Sequence, residues 1–266
     1  MSPSLLPRSR SSRSIHPAAR KGFQTSTSAY ERGRPSYPRE IVVHLIETLG
    51  LEAGRTLIEL GPGTGKLTSL LVGSGARVIG IEPVEAMRET LTARRPDIEV
   101  LDAVAEDLPL GDGSADAAVA AQSFHWLDGD RALAELARVL RPGARLAIVF
   151  NVRDDTVPWI RALVELQEPF RADTPSHRSM RWREAFSRTE AFIAREESSF
   201  RHEHVTTPGG VLDRVLSISF IAALDEGSRS AIAGDVRRIL AADPATRGGG
   251  RISTPYRTDC YVWERV

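Results

Sequence analysis

The sequence of 266 residues contains one cysteine, Cys260, and only two lysines among its 35 basic residues. A single cysteine excludes an internal disulfide framework and any metal site built from several cysteines. Uninterrupted apolar runs such as 117–121 are far shorter than the ~18 residues that a membrane-spanning helix requires. Net charge is also absent, because 35 acidic residues balance the basic ones. These absences predict no membrane partner and no metal site.

Charge is distributed unevenly along the chain. Five basic residues lie within the first 29 residues, which contain no acid, so the remainder carries 30 basic and 35 acidic residues. This mildly acidic body argues against a nucleic-acid partner, since such proteins present a basic face to phosphates. Residues 1–28 are rich in serine and arginine without apolar periodicity, so we predict a disordered basic tail. We expect a cytoplasmic protein, with organelle import through this tail as the alternative.

Apolar patterning predicts one domain over residues 29–266. Short strands at 56–60, 77–82, 98–101, 115–121 and 145–150 alternate with helical segments at 36–49, 66–72, 83–95 and 128–140. Ser36, Asp128 and Asp130 are the candidate caps of the first and last of these helices, and Gly50 ends the first. Strands that alternate with helices at this spacing indicate a parallel sheet covered on both faces.

The last third of the chain has a different pattern. Residues 151–199 place aromatic residues at helical spacing among charges, which predicts a helical insertion. Segments 200–207 and 251–263 alternate as strands around two helices within 210–242, which is typical of an antiparallel pair at a sheet edge. We therefore predict an α/β fold with a doubly wound, mostly parallel seven-stranded sheet, an antiparallel edge pair and a helical insertion before that pair. Its parts are a core (29–150), the insertion (151–199) and closing strands and helices (200–266).

A glycine-rich turn joins the first strand to the next helix, with the sequence Glu-Leu-Gly-Pro-Gly-Thr-Gly over residues 59–65. Such a turn at the carboxyl end of a strand lets a ligand approach the backbone. A dinucleotide site would have its third glycine where this chain has Lys66, and a phosphate-binding loop would have serine or threonine in place of Leu67. The remaining pattern, an acid followed by alternating glycines, resembles that of the class I S-adenosylmethionine-dependent methyltransferases.

This resemblance covers roughly residues 30–150. Glu82, 21 residues after Gly61, resembles the ribose-binding acid of the family, and the Ala105-Glu106 pair resembles its adenine-flanking segment. Many relatives carry an acid two residues before that pair, whereas this chain has Val104 directly before Ala105 and its nearest preceding acid is Asp102. The segment 122–128, Gln-Ser-Phe-His-Trp-Leu-Asp, is similar to the type-11 small-molecule branch, which includes trans-aconitate methyltransferases.

The resemblance implies an enzyme that uses S-adenosyl-L-methionine, methylates a small-molecule acceptor and forms S-adenosylhomocysteine. The implied cofactor-binding residues are Glu59, Gly61, Gly63, Gly65, Glu82, Ala105, Glu106, Gln122, Tyr30 and Arg34. His125 is the candidate catalytic residue, with a purely structural histidine as the alternative. Segment 30–38 would close over the cofactor, and the insertion 151–199 would recognise the acceptor.

Two other functions share part of this pattern. A non-catalytic S-adenosylmethionine-binding partner would need the same binding residues, and an NAD(P)-dependent oxidoreductase would need a related glycine turn. The acceptor atom and the oligomeric state are left open by the sequence.

Overall fold

The computed structural model describes residues 31–266, so the predicted tail (1–28) and Tyr30 lie outside the described residues. A seven-stranded sheet with the order β3-β2-β1-β4-β5-β7-β6 forms its centre. The strands are β1 (Thr56–Leu60), β2 (Arg77–Ile81), β3 (Glu99–Leu101), β4 (Ala115–Ala121), β5 (Leu140–Arg153), β6 (Phe192–Thr206) and β7 (Ile252–Arg265). Strands β1 to β5 pair in parallel, whereas β7 lies between β5 and β6 and is antiparallel to both. The predicted fold class is confirmed.

Helices pack on both faces of this sheet. They are α1 (Arg39–Leu49), α2 (Thr68–Leu71), α3 (Glu85–Arg94), α4 (Gly129–Val139), α5 (Pro158–Gln167), α6 (Glu184–Ser187), α7 (Pro208–Leu216), α8 (Ser219–Ala222) and α9 (Glu226–Ala242). In β1, Leu57 packs in the same cluster as Ile41 of α1, and Ile58 packs in the cluster of Leu136 of α4. Successive strand residues face opposite sides, so a strand covered on both sides is apolar throughout.

A third apolar cluster is formed mainly by helices, with Ile252 at the start of β7 as a further member. Trp159 and Leu163 of α5 pack with Val215 of α7 and Val236 of α9. The predicted insertion and the predicted closing region therefore contribute to one helical layer. Within residues 31–266, no helix has both the length and the apolar composition needed to cross a membrane.

Two helix boundaries differ from those predicted. Helix α1 begins at Arg39 with Pro38 as its N-cap and no side-chain capping bond, so the predicted cap Ser36 is wrong. The extended backbone at Pro38 separates Ser36 from the helix. The carbonyl of Ser36 instead accepts a hydrogen bond from Asn151 Nδ2 at 3.2 Å. The helix predicted at 66–72 is limited to Thr68–Leu71, because the glycine turn and its continuation occupy the preceding residues.

The limits of the predicted insertion also need correction. Strand β5 continues to Arg153 and β6 begins at Phe192, so both ends of segment 151–199 are strand. Strand β6 lies at the sheet edge, pairs with β7 alone, and exposes Glu196 and Glu197. Edge strands commonly carry such charges, which remove the apolar pattern by which buried strands are detected.

Candidate active site

The turn after β1 has a backbone conformation that favours glycine. Gly61, Gly63 and Gly65 have φ angles of +65°, +60° and +83°, a region that residues with side chains rarely adopt. A Cβ atom on Gly61 would lie 2.7 Å from Cβ of Ser123, and one on Gly65 would lie 2.3 Å from Cδ1 of Leu91. The turn therefore packs closely against α3 and against the segment that follows β4.

Glu82, directly after β2, holds this turn in place. Its carboxylate accepts hydrogen bonds from the backbone N–H groups of Gly63 at 3.0 Å and Val84 at 2.9 Å. Arg88 donates to the Glu82 carbonyl at 2.9 Å. Burial raises the pKa of Glu82 to about 7, against the effect of the two backbone donors. Because each carboxylate oxygen has two lone pairs, Glu82 can still accept from a ligand while it fixes the turn.

Glu59 is a second buried carboxyl group at this site. Its side chain extends from β1, and the residue is 1% exposed. Burial raises the pKa of Glu59 to about 7; the Thr68 hydroxyl opposes this shift and the charge of Glu82 adds to it. Two neighbouring buried carboxyl groups favour a cationic ligand, since a positive charge would offset the cost of ionising them.

A pocket of about 510 Å³ opens beside the glycine turn and is termed the first pocket. It is lined by Arg34, Pro35, Tyr37, Glu59, Gly61, Pro62, Thr64, Lys66, Leu67, Ala121, Gln122, Asn151, Arg214 and Tyr256. Four predicted cofactor-binding residues, Arg34, Glu59, Gly61 and Gln122, are thus brought together from distant parts of the chain. Gly63, Gly65 and Glu82 do not line the pocket; Glu82 bonds to Gly63, which lies between the lining residues Pro62 and Thr64.

Ala105 and Glu106 do not line this pocket. Ala105 is buried in the same apolar cluster as Ala118 and Ala120 of β4. The Glu106 carboxylate accepts a hydrogen bond from the backbone N–H of Asp128 at 2.8 Å, and burial raises its pKa. Glu106 therefore supports the start of α4, where Asp128 is the N-cap as predicted. Adenine contact by these two residues stays a prediction.

Residues 31–34, termed the strap, are tied to the glycine turn at one end. The Lys66 ammonium group donates to the carbonyl of Glu31 at 2.9 Å and to its carboxylate at 3.0 Å. Arg94 of α3 pairs with the same carboxylate at 2.7 Å. Lys66, whose side chain argues against a dinucleotide site, thus has a definite role in holding the strap.

The other end of the strap contacts α7. Arg32 Nε donates to the Asp213 carboxylate at 2.7 Å. Gly33 packs so closely that a Cβ atom would lie 2.4 Å from the backbone nitrogen of Arg214. Arg34 then lines the first pocket. The strap therefore bridges the turn and α7 beside this pocket.

A second pocket, of about 820 Å³, adjoins the first. The two share Arg34, Gln122, Asn151 and Arg214. The other residues of the second pocket are His125, Trp126, Arg153, Gln167, Arg171, Thr174, Pro175, Ser176, His177, Arg178, Ile218, Ser219 and Phe220. Most of them belong to the predicted insertion or to α7 and α8, which explains why no single sequence motif describes this pocket.

Gln122 stands where the two pockets meet and has an unusual backbone. Its φ is +60°, although it is not glycine. Its N–H donates to the Val149 carbonyl at 2.8 Å, and its side-chain Nε2 donates to the Asn151 carbonyl at 3.0 Å. A left-handed residue with a side chain costs about 1 kcal/mol or more, and such strain is common at functional sites.

His125 faces the second pocket from the short 3₁₀ helix Phe124–Trp126. Its ring centroid lies 5.7 Å from that of Phe150 and 6.2 Å from that of His177. Burial lowers the pKa of His125 to about 3, and the neighbouring His177 and Arg34 side chains act in the same direction. His125 is therefore neutral near pH 7 and is a weak base.

The sequence prediction missed Asn151, Arg153 and Arg214. The first two follow the predicted fifth strand, whose carboxyl end meets that of β4 at the same sheet edge, and this position was an available signal. Arg214 lies in α7, and only the packing of that helix brings it to the pockets.

Comparisons with known proteins agree with this geometry. A family model for a methyltransferase domain matches residues 58–148. An uncharacterized methyltransferase of Mycobacterium tuberculosis is 37% identical over 238 residues, which span 90% of this chain and 93% of that protein. A structure described as a type II methyltransferase from Anaeromyxobacter dehalogenans has a TM-score of 0.63 at 26% identity. The alignment covers 87% of this chain and 97% of that protein.

A more distant structure shows likeness of fold alone. Geranyl diphosphate C-methyltransferase from Streptomyces coelicolor, in complex with Mg²⁺, geranyl diphosphate and S-adenosylhomocysteine, has a TM-score of 0.51 at 16% identity. The alignment covers 85% of this chain and 77% of that enzyme. The sheet order, the glycine turn and these similarities establish that the chain belongs to the class I S-adenosylmethionine-dependent methyltransferases. It is a methyltransferase, and its cofactor is S-adenosyl-L-methionine, as predicted.

The raised pKa of Glu59 predicts a pH-dependent stability. Its folded-state value of about 7 exceeds the ordinary 4.5, so its carboxyl group favours folding below pH 4.5 and loses this contribution as pH rises through 7. Glu59→Gln removes the cost of ionisation. We therefore expect the difference in free energy of unfolding, variant minus wild type, to increase by about 1–3 kcal/mol when the pH is raised from 5 to 8.

Thermal unfolding of the cofactor-free protein at both pH values measures this gain. Glu89→Gln, at an exposed position on α3, is the matched control and should show no such change. An equal stability difference at pH 5 and pH 8 for Glu59→Gln would contradict the prediction.

Proposed function

We propose that this enzyme transfers the methyl group of S-adenosylmethionine to a small-molecule acceptor and releases S-adenosylhomocysteine. The observation that carries the proposal is the junction of two pockets at Arg34, Gln122, Asn151 and Arg214. Methyl transfer requires donor and acceptor to be held in contact and in line, which adjoining pockets permit. The second pocket is a concave site in which Trp126, His177 and Phe220 lie among polar side chains, a composition that suits a small molecule.

The residues around the first pocket suit a positively charged donor. S-adenosylmethionine supplies an electrophilic methyl group on a sulfonium, which loses its charge as the methyl group leaves. Glu59 provides a buried carboxylate for the cationic part of the donor, and Glu82 has free lone pairs for ribose hydroxyls. Arg34 lines both pockets and suits the carboxylate of the donor or an anionic group of the acceptor.

The second pocket favours catalysis over simple cofactor binding. A non-catalytic partner would need the first pocket alone. This chain has a second pocket, lined by residues of β5, α5, α7 and the 3₁₀ helix His177–Ser179. Family membership excludes the NAD(P)-dependent oxidoreductase.

The test is transfer of label from methyl-tritiated S-adenosylmethionine into a protein-free extract of small molecules. We expect labelled small molecules to accumulate, and unlabelled S-adenosylhomocysteine to suppress them. An extract that stays unlabelled, with protein that binds S-adenosylmethionine normally, would favour the non-catalytic binder.

Replacing Glu82 should weaken cofactor binding. Glu82→Gln keeps the size of the side chain but removes its charge and half of its acceptor sites. We expect the affinity for S-adenosylmethionine to fall about 10- to 100-fold, since a hydrogen bond to a charged group contributes about 1.5–3 kcal/mol. Isothermal calorimetry measures the change, with the exposed Glu89→Gln as control. Unchanged affinity would remove Glu82 from the ribose site.

His125 should not act as a general base. Its pKa of about 3 makes it a weak base, and burial lowers the pKa of His177 in the same pocket to about 4. Among residues 31–266, no aspartate, glutamate, lysine or tyrosine lines the second pocket. We therefore expect His125→Ala to lower kcat by less than about tenfold from pH 6 to pH 9, whereas loss of a general base costs about 10²–10⁴.

The labelled-extract assay gives the pH profile of this variant, and His44→Ala, outside both pockets, is its control. A decrease in kcat of more than a hundredfold would show that His125 does act as a general base. The expected result implies an acceptor that arrives without a proton to lose.

The strap should matter more than the tail that precedes it. Deletion of residues 1–22 leaves in place every residue that forms the described contacts of the strap, so we expect unchanged affinity for S-adenosylhomocysteine. Deletion of residues 1–38 removes the bonds of Glu31 and Arg32 together with Arg34 of the first pocket, and should weaken binding at least about tenfold. Calorimetry on the two truncated proteins decides the matter. Equal affinities would show that the strap does not close the cofactor site.

A further inference from the structure

The second pocket concentrates positive charge. Of the described residues, no carboxylate lines it, whereas five arginines do: Arg34, Arg153, Arg171, Arg178 and Arg214. Guanidinium groups remain charged at all ordinary pH values. Like charges gathered in a concave and partly buried space repel one another more strongly than they would in bulk water. This arrangement costs stability, so a compensating ligand is the natural explanation for it.

Two of these arginines are already neutralised by partners beyond the pocket. Arg171 pairs with Glu168 at 2.8 Å, and Arg178 pairs with Asp155 at 2.6 Å. By contrast, among residues 31–266 no carboxylate oxygen lies within 4.0 Å of the guanidinium groups of Arg153 or Arg214. At least two positive charges of the pocket therefore lack a counter-charge in the part of the chain described.

Hydrogen-bond donors in the same pocket also lack acceptors. Nε and Nη1 of Arg214 and Nε2 of Gln167 are buried and have no hydrogen-bond partner among the described residues. All three are donors by chemistry, and Gln167 is only 3% exposed. Buried donors are nearly always paired in folded proteins. These atoms therefore point to a ligand that supplies acceptor oxygens.

Arg153 and Gln167 are arranged as one unit. Arg153 Nη2 donates to Gln167 Oε1 at 3.0 Å, which leaves the amide NH₂ of Gln167 free for another acceptor. Burial lowers the pKa of Arg153 to about 9, and the charges of Arg214 and Arg178 act in the same direction. The surroundings thus disfavour this charge until an anion arrives.

We infer that the second pocket binds an acceptor carrying at least two negative charges, anchored by Arg153, Arg214 and the amide of Gln167. The inference rests on the proposed function only in naming this ligand as the acceptor. Carboxylate and phosphate groups share the required chemistry, because each presents two oxygens to the fork of a guanidinium. Arg153 then determines specificity by holding an anionic group of the acceptor away from the cofactor.

The first experiment measures anion binding to the protein saturated with S-adenosylhomocysteine. Citrate, tricarballylate, succinate and pyrophosphate are titrated by calorimetry against butyrate and the uncharged triethyl citrate. We expect at least one multiply charged probe to bind ten times more tightly than butyrate, with affinity that falls as salt is raised. Tighter binding of the carboxylates or of pyrophosphate identifies the type of anionic group. If butyrate or triethyl citrate binds as tightly as every multiply charged probe, the inference is wrong.

The second experiment compares Arg153→Gln with Arg237→Gln, which removes the same charge from an exposed position on α9 outside the pocket. We expect Arg153→Gln to weaken the best probe by about 10- to 100-fold and Arg237→Gln to leave it unchanged. Without ligand, Arg153→Gln should not lower the unfolding temperature, because the charge it removes is disfavoured there. Arg153→Lys, which retains the charge but loses the fork, should be intermediate. Unchanged anion affinity in Arg153→Gln would contradict the inference that Arg153 binds an anionic group of the acceptor.

Failure of this inference can be told apart from failure of the proposed function. Labelled product from the small-molecule extract, together with no binding of the anionic probes, would contradict the anionic acceptor and leave the methyl transfer standing. Probe binding that depends on Arg153, without any labelled product, would contradict the methyl transfer and support an anion-binding pocket.

Discussion

The site depends on the bonds between the Glu82 carboxylate and the backbone N–H groups of Gly63 and Val84. They join the ends of two neighbouring parallel strands, so the glycine turn is held by an acid from the next strand. A carboxylate that accepts two backbone donors tolerates burial, and it keeps lone pairs for a ligand. The first pocket, the strap anchored at Lys66, and the approach of Gln122 all rely on the position of this turn.

The two pockets differ in charge around their junction. Glu59 lines the first pocket alone and Glu82 is buried beside its glycine turn, whereas Arg153 lines the second pocket alone and Arg34 and Arg214 line both. A cationic donor and an anionic acceptor would each meet the opposite charge, and they would attract one another in a region of low dielectric. Under the proposed function, this separation orients the two reactants without a covalent intermediate and without a proton-transfer group of ordinary strength.

The accuracy of the sequence predictions follows from how each element is buried. Strand β4 was predicted with its observed bounds, Ala115–Ala121, because a central strand covered on both faces is apolar at nearly every position, here at all but Asp116. The first half of β6 was missed, since that strand pairs on one side only and exposes glutamates. The cap at Ser36 failed for a related reason: the pattern of residues did not reveal where Pro38 would redirect the chain.

The sequence by itself determined the fold class and the glycine turn, because these depend on local conformation and on apolar periodicity along one stretch of chain. Glu82 was selected through the family resemblance, and its contact with ribose stays a prediction. Only the tertiary structure decided the second pocket. Arg153 ends β5, Gln167 ends α5 and Arg214 lies in α7, and each is an ordinary polar residue in its own segment. Their shared environment arises from the packing of α5, α7 and α9 around one apolar cluster, and burial and mutual repulsion act on them only after that packing has formed.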